Sequence, residues 1–343
     1  MPLVSVCIPV YRAQDYIEGC LTSLCAQTIA SQTEVVLVSD ASPDRSREIA
    51  EETLRSKGDV LACWRVFELK ENQGPTACRQ QALAHARGRY VTFMDADDSC
   101  DPSYLASLTS CAQAQDAQII LGVNKALGGQ RDGEVLDADA PTDHRTLMEK
   151  LMRGTYPGWL HGRLFERTLL DAHPEAWNAE LRMVEDLHTM MHLVPYAQRI
   201  ARADDAVYLY NLSNERSISR ALDVSKQQQV ILSRNEMEAL LQDLRAPQGR
   251  SCLTPQDADY LLREVLPYAH ALAKLWLLSA CDPWNPELVS LYNDERLSAL
   301  PDLPFATRAF LRLCEWSMGP VVHAGVFAVN HLMGARRGQA ALG

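Results

Sequence analysis

The strongest constraint on the fold is a regular alternation of apolar runs and amphipathic segments over residues 1–100. Apolar, β-rich runs predict four strands, at 3–10, 34–38, 63–69 and 90–94. Residues at helical spacing predict three helices between them, at 17–25, 43–55 and 76–86. Ser42 is the expected N-cap of the second helix, with Pro43 in its first turn. Strand and helix units with short connections predict an α/β fold, in which helices cover both faces of a mostly parallel sheet.

Polar and acidic residues follow three of these predicted strands. The segment 9–11, Pro-Val-Tyr, ends the first strand, Asp40 follows the second, and the acidic segment 95–98 follows the fourth. In open parallel sheets the ligand lies beyond the carboxyl ends of the strands. We therefore expect these residues to line one ligand-binding crevice.

The acidic segment Asp95-Ala-Asp-Asp98 predicts a divalent cation, Mg²⁺ or Mn²⁺. Three carboxylates within four residues repel one another, and hard oxygen ligands favour these ions. The alternative is a solvated acidic turn that caps a helix beginning near Pro102. The sequence has neither G-x-G-x-x-G after the first strand nor a P-loop motif. A dinucleotide-binding Rossmann fold is therefore disfavoured, and a metal is the favoured partner of a phosphate.

Composition narrows the class of protein. A length of 343 residues predicts about two domains, and the excess of 44 Asp and Glu over 33 Lys and Arg argues against a nucleic-acid binder. Ten cysteines without a C-x-x-C pair are expected to be free thiols in a reducing compartment. We recognise no signal peptide and no apolar run of about 18 residues, so a cytoplasmic protein is expected.

The rest of the chain is predicted to divide near Arg220. Residues 122–142, rich in Gly, Asp and Ala, predict a loop over the site, and 183–186 open a helical pattern. Helical periodicity predicts a separate C-terminal module at 221–343. Its segment 304–343 carries four Arg and one Glu among aromatic and aliphatic residues. Such a basic amphipathic segment predicts either contact with an anionic membrane surface or packing on its own domain or a second subunit.

Seven short motifs, in order along residues 3–220, resemble those of family 2 glycosyltransferases with the GT-A fold. They are VSVCIPVY at 4–11, VLVSDAS at 36–42, NQG through CR at 72–79, FMDADD at 93–98, GRLF at 162–165, Glu185-Asp186, and YLY at 208–210 with SIS at 217–219. The resemblance implies a GT-A catalytic domain at 1–220, with a nucleotide-sugar-binding half at 1–100 and an acceptor-binding half at 101–220. Four positions depart from the family's residues: Arg12, Ala41, Gln80 and His161, where the family tends to have Trp.

The resemblance implies a donor-nucleotide set of Pro9, Tyr11, Asp40, Arg79 and Asp95. Pro9 and Tyr11 would frame the base, with Tyr11 stacked on it, and Asp40 would hydrogen-bond the uracil edge. Asp95 would approach the ribose or a metal-bound water, and Asp97 would ligate the metal that bridges the diphosphate. Three of these residues have a structural alternative. Tyr11 would simply cover the end of a strand, Asp40 would form an Asx turn, and Arg79 would be a solvated helix residue.

On the acceptor side, the resemblance implies that Asp186 is the catalytic base and that Glu185 supports it or contacts the acceptor. The alternative for both is an acidic helix N-terminus that the helix dipole stabilises. Candidates for diphosphate or acceptor contacts are Arg163, Arg216, Trp159 and His161. We interpret three histidines as solvated or hydrogen-bonded residues rather than a metal cluster: His161, His188 and His192.

These expectations combine into one function. A metal stabilises the leaving diphosphate, and a carboxylate deprotonates an acceptor hydroxyl, so that a single displacement inverts the anomeric centre. We expect an inverting glycosyltransferase, cytoplasmic or peripheral on the inner face of the membrane, that transfers a sugar from a nucleotide-diphosphate donor, a UDP-sugar, to a glycan or lipid-linked acceptor in surface polysaccharide synthesis. One rival is a nucleotidyltransferase, which needs glycines that segment 10–14 lacks. The other is a non-catalytic nucleotide-sugar-binding module, against which the two acidic motifs count.

Overall fold

The structure, a computed structural model, describes residues 1–182, 184–214, 224–246, 251–267 and 269. Strands in this part of the chain are β1 Val4–Val10, β2 Thr33–Ser39, β3 Cys63–Glu68, β4 Tyr90–Phe93, β5 Ser99–Cys100, β6 Ile119–Leu127, β7 Arg163–Glu166 and β8 Ile200–Asn211. Its α-helices are α1 Ile17–Cys25, α2 Ser46–Lys57, α3 Pro75–His85, α4 Tyr104–Gln115, α5 His144–Arg153, α6 Arg167–Ala172, α7 Glu185–Leu193, α8 Val224–Leu244 and α9 Pro255–Tyr260. No helix within these ranges is long and apolar enough to cross a membrane.

The strands form one mixed sheet, in the order β3-β2-β1-β4-β7-β6-β8-β5. β1 pairs in parallel with β2 and β4, and β2 pairs in parallel with β3. β7 is antiparallel to both β4 and β6, β6 is parallel to β8, and β5 is antiparallel to β8. The predicted α/β sheet with flanking helices is confirmed, and its continuous parallel part is the one built by residues 4–93.

Two core clusters cover the two faces of this sheet. Ile8 of β1 packs in one cluster with Leu21 of α1, and its neighbour Cys7 lies in the other with Leu147 of α5 and Met190 of α7. Successive strand residues point to opposite faces, so a strand with both faces covered is apolar along its whole length. This burial explains the uninterrupted apolar run at the start of the sequence.

The described residues after 223 pack on the same core as the sheet. Met237 and Leu241 of α8, and Leu261 after α9, share a cluster with Leu147. The boundary predicted near Arg220 falls outside the described residues, so the division into two domains stays a prediction. The basic segment 304–343 also lies outside them.

The prediction of a loop at 122–142 is wrong for its first part, because β6 extends to Leu127. Gly122 is needed inside this strand, since a Cβ there would lie 2.9 Å from the backbone oxygens of Ala206 and Gly162. The buried Asn124 is satisfied by hydrogen bonds to a buried carboxylate. Glycine and asparagine are typical of loops, but here the glycine permits a close approach of neighbouring strands and the asparagine binds a buried carboxylate.

The prediction that Ser42 caps the second helix is also wrong, because α2 begins at Ser46. The N-cap is Arg45, which makes no side-chain cap hydrogen bond, and Asp44 accepts a hydrogen bond from the Ser46 amide at 3.2 Å. Ser42 instead joins two loops: its Oγ accepts from the Arg12 amide at 2.8 Å and donates to Asp44 at 2.7 Å.

Candidate active site

The carboxyl ends of β1, β2 and β4 meet at one edge of the sheet, because these strands are parallel neighbours. Tyr11 follows β1 and is 37% exposed, whereas Asp40 follows β2 and is buried. Pro9 is half-buried within β1, and Asp95 lies two residues beyond the end of β4. The structure thus brings together the strand ends from which the crevice is predicted.

One guanidinium, that of Arg79 in α3, connects the acidic groups of the site. Its Nη2 donates to Asp95 Oδ1 at 3.1 Å, and its Nη1 donates to Asp186 Oδ1 at 2.6 Å and to Glu185 Oε1 at 3.3 Å. The Arg79 side chain is only 4% exposed, which excludes the alternative of a solvated helix residue. Since one positive charge faces three carboxylates, the cluster keeps an excess of negative charge.

The carboxyl group of Asp186 is held in one orientation. Its Oδ1 faces Arg79, and its Oδ2 accepts the backbone N–H of Leu160 at 3.1 Å. Burial raises the pKa of Asp186 to about 7; the charges of Glu185 and Asp95 act in the same direction, and that of Arg79 opposes them. A general base works best with a pKa near the operating pH, so this carboxylate suits that function.

The acidic turn after β4 is anchored by β8. Tyr208 Oη accepts the Asp95 amide at 3.1 Å and donates to Asp98 Oδ2 at 2.6 Å. The Asn211 amide donates to Asp98 Oδ1 at 2.7 Å. Burial, together with the charges of Asp95 and Asp97, raises the pKa of Asp98. Asp98 therefore holds the turn in place through internal hydrogen bonds.

The carboxylate oxygens of Asp97 are suitable ligands for a hard divalent cation. Asn214 donates to its Oδ2 at 2.7 Å, and burial, followed by the charge of Asp95, raises its pKa. A cation beside these two carboxylates would relieve that repulsion. Among the described residues no group of three or more His, Cys, Asp or Glu is arranged to hold a metal. Mg²⁺ commonly takes one or two carboxylates and completes its shell with water and phosphate oxygens, so two neighbouring aspartates suffice.

Asp40 is engaged at the entrance to α3. Its Oδ1 accepts the Gln73 amide at 2.7 Å, and its Oδ2 accepts the Gly74 amide at 2.9 Å. These bonds fix the loop that leads into the helix carrying Arg79. Each carboxylate oxygen has a second lone pair, so a contact with uracil is compatible with this geometry and stays a prediction.

Trp159 and His161 lie in a stack of rings beside the acidic turn. The Trp159 ring centroid is 4.9 Å from that of His161 and 5.6 Å from that of Tyr210, and His161 is 4.9 Å from Tyr208. His161 is buried and its Nδ1 contacts Asn124 Oδ1 at 3.0 Å. Burial lowers the pKa of His161 to about 4, so the ring is neutral. Trp159 and Tyr210 are half-buried at the outer end of the stack.

Arg163 is not brought into this site. Its side chain is fully buried, its Nη1 pairs with Asp137 at 2.9 Å, and its guanidinium lies 5.1 Å from the Tyr156 ring centroid. A guanidinium enclosed in this way does not reach a diphosphate in the crevice. The other arginine candidate, Arg216, lies outside the described residues.

The sequence does not predict the groups that hydrogen-bond to the predicted site residues and hold them in place. The sequence assigns no function to Tyr208, Asn211 or Asn214, although the YLY motif at 208–210 is a signal for the first of them. The amide of Leu160 carries no signal, because any residue has a backbone N–H.

Two loops of the site contain strained residues at positions where the family has others. Arg12 has φ 52° and Ala41 has φ 49°, in the left-handed region that disfavours residues other than glycine. We expect Ala41→Gly to raise the free energy of unfolding by about 0.5–1 kcal/mol in urea titrations. Ala84→Gly, at an exposed position of α3, is the matched control and should lower it by roughly 0.5–1 kcal/mol. A decrease with Ala41→Gly would contradict strain at this position.

Comparisons with known proteins bear on this fold and site. Residues 5–173 match the model of Glycosyl transferase family 2. The chain is 29% identical over 220 residues to the putative glycosyltransferase EpsH of Bacillus subtilis, which covers 62% of this chain and 61% of that protein. The chain therefore spans about three fifths of the length of this relative.

A second relative is the poly(ribitol-phosphate) β-N-acetylglucosaminyltransferase TarS of Staphylococcus aureus, 27% identical over 213 residues that cover 62% of this chain and 36% of that protein. The crystal structure of TarS residues 1–349 in complex with UDP-GlcNAc has a TM-score of 0.75 at 21% identity, covering 97% of this chain and 92% of that one. A mannosyltransferase of Pyrobaculum calidifontis, in complex with GDP-Man and Mn²⁺, has a TM-score of 0.53 at 18% identity, covering 95% and 87%. At these identities the solved structures show the fold alone. The family match shows that residues 5–173 belong to glycosyl transferase family 2, and the solved structures show that the chain has the GT-A fold.

Proposed function

We propose that the chain is an inverting glycosyltransferase that transfers a sugar from a UDP-sugar to a hydroxyl of a glycan or lipid-linked acceptor in surface polysaccharide synthesis. The observation that carries the proposal is the Arg79 cluster, because a buried guanidinium joins Asp95, after β4, to Asp186, at the start of α7, in one hydrogen-bonded network. The relative TarS supports the donor class, since it is solved with UDP-GlcNAc, and its name supports a surface-polymer acceptor.

Asp186 supplies the base in this proposal. Arg79 and the Leu160 amide orient its carboxylate, which takes the proton of the acceptor hydroxyl as that oxygen attacks the anomeric carbon. The bond from the anomeric carbon to the diphosphate oxygen breaks as the new glycosidic bond forms. Attack on the face opposite the leaving group inverts the anomeric configuration. Glu185 supports the base through the guanidinium that both carboxylates share.

The donor lies at the strand ends in this proposal. Tyr11, exposed after β1, offers its ring to the nucleotide base, and Asp40 offers an acceptor to the uracil edge. Asp97 would hold Mg²⁺ or Mn²⁺ with Asp95 beside it, and the ion would stabilise charge on the leaving diphosphate. The fold neighbour solved with GDP-Man and Mn²⁺ supports this metal.

A donor screen tests the function. The purified chain is mixed with UDP-, GDP- and dTDP-sugars in Mg²⁺, Mn²⁺ or EDTA, and thermal unfolding and nucleoside diphosphate release are followed. We expect a UDP-sugar to stabilise the fold only with metal, by about 2.7 kcal/mol at 100 times its Kd. Asp97→Ala should abolish this stabilisation, whereas Glu48→Ala, which removes an exposed carboxylate of α2, should keep it.

The outcomes of this screen separate the alternatives. If no nucleotide sugar binds with either metal, the proposal fails. Binding of a nucleotide sugar without transfer or hydrolysis would favour a non-catalytic module. Release of pyrophosphate from a nucleoside triphosphate and a sugar phosphate would favour a nucleotidyltransferase.

A further inference from the structure

Trp159 lies beside the proposed base, because both of its neighbours in the chain contact the start of α7. Gly158 packs so closely on Leu187 that a Cβ at this glycine would lie 2.7 Å from the Leu187 Cα. On the other side, the Leu160 amide donates to Asp186 Oδ2 at 3.1 Å. Since backbone bond lengths place an amide nitrogen about 2.4 Å from the preceding Cα, Asp186 Oδ2 lies within about 5.5 Å of the Trp159 Cα.

Two rings pack on the same face of the Trp159 indole. The His161 and Tyr210 rings lie at 22° and 18° to it, with centroids 4.9 Å and 5.6 Å away, and these two centroids are 5.2 Å from each other. Rings stacked on opposite faces would be at least about 7 Å apart, twice the contact distance of about 3.5 Å between carbon atoms. Within the described ranges no other ring stacks on Trp159, and the residue is only half-buried. The second face of the indole is therefore open to a ligand.

The same stack extends to the acidic turn after β4. The Tyr208 ring centroid is 4.9 Å from that of His161, and the Tyr208 hydroxyl holds Asp95 and Asp98. The stack thus connects the turn proposed to hold the metal with the segment that orients the base. In the proposed reaction, the acceptor hydroxyl meets the anomeric carbon of the donor between these two groups.

The charge of the site disfavours an anionic group on the acceptor. The Arg79 guanidinium is shared by three carboxylates, and Arg163 is enclosed with Asp137. A phosphate or carboxylate beside Asp186 would add charge of the same sign to a cluster that is already negative. The face of an aromatic ring carries partial negative charge and attracts C–H groups, which a pyranose presents on the faces of its ring. Both features favour a sugar ring without an anionic group.

Given the proposed function, on which this inference rests, we propose that the open face of Trp159 binds a pyranose ring of the acceptor. This ring carries no anionic group and turns one of its hydroxyls toward Asp186. The acceptor unit is therefore a cyclic sugar and not an acyclic alditol phosphate. His161 and Tyr210 are positioning residues, because they support the indole from its other face.

Binding of the acceptor is measured first, without donor and without turnover. Saturation-transfer NMR on the unmodified chain uses the methyl glycosides of glucose, galactose and N-acetylglucosamine, and ribitol 5-phosphate. We expect saturation of at least one pyranoside and none of ribitol 5-phosphate. Trp159→Leu should abolish the pyranoside signal. Trp64→Leu, which truncates a half-buried indole near the start of β3, is the matched control and should keep it.

Transfer kinetics give a second readout, with the UDP-sugar that the donor screen identifies. Trp159→Phe keeps a smaller aromatic face and Trp159→Leu keeps none, so the acceptor KM should rise in that order. For Trp159→Leu the rise should be at least about tenfold, as for truncation of a tryptophan at the centre of an interface. The donor Kd, measured by calorimetry, should stay the same in both variants, whereas a damaged fold would change it as well.

The results separate this inference from the proposed function. If no nucleotide sugar binds but a pyranoside binds in a manner that needs Trp159, the proposed function fails and the sugar site stands. Equal pyranoside signals and equal acceptor KM with and without the indole would overturn the inference. Transfer to ribitol 5-phosphate but to no pyranoside would overturn it as well.

Discussion

Asp186→Asn is expected to lower kcat by about 10²- to 10⁴-fold, the range that a positioned general base contributes. The amide has the shape of the carboxylate and its oxygen can still accept the Leu160 N–H, but it does not take a proton from the acceptor hydroxyl. The donor Kd should be unchanged, because this side chain acts on the acceptor. Transfer rates and donor calorimetry on the same protein separate the two effects.

The pH profile gives an independent test of the same assignment. Because burial raises the pKa of Asp186 to about 7, the ionised base is depleted below that pH, and kcat/KM should rise with pH and level off above it. The residual activity of Asp186→Asn should lack this rise. Asp171→Asn, at an exposed position of α6, is the matched control and should keep both the rate and the profile. Transfer by Asp186→Asn at the unmodified rate would remove Asp186 as the base.

The first half of the fold could be predicted because the sequence patterns that define its strands and helices lie within each element. β1 and β2 are buried on both faces and therefore appear in the sequence as unbroken apolar runs, and α1 begins at Ile17, the first residue of the predicted helix. Consecutive parallel strands with helical crossovers need no partner from elsewhere in the chain. The strand ends, and with them Tyr11, Asp40 and Asp95, follow from that arrangement.

The second half could not be predicted because its partners are distant in sequence. β7 enters the sheet between β4 and β6, and β6 accommodates a glycine and an asparagine only because β8 and buried hydrogen bonds surround them. Prediction from sequence is limited in the same way for Arg79 in the site. In the sequence it looks like an ordinary helix residue, whereas its burial depends on carboxylates 16, 106 and 107 residues away.

Arg79→Ala is expected to destabilise the fold by about 3–5 kcal/mol, the cost of removing one partner from a buried ion pair. Without the guanidinium, Asp95, Glu185 and Asp186 would face one another with no counter-charge. Urea unfolding at pH 7 measures the loss. Since these carboxyl groups would have raised pKa values in the variant, protonation at lower pH should remove part of the repulsion, and the loss should shrink as the pH falls.

Two companion variants separate charge from geometry. Arg89→Ala removes a 55% exposed arginine that pairs with Glu166 at 3.4 Å, and it should change stability by less than about 1 kcal/mol. Arg79→Lys keeps the charge but not the planar fork, so it should recover stability while kcat stays low, because one ammonium does not orient Asp95 and Asp186 together. If Arg79→Ala were as stable as Arg89→Ala, the carboxylates would not depend on the guanidinium. The donor side and the base would then be positioned independently, by β4 and by α7.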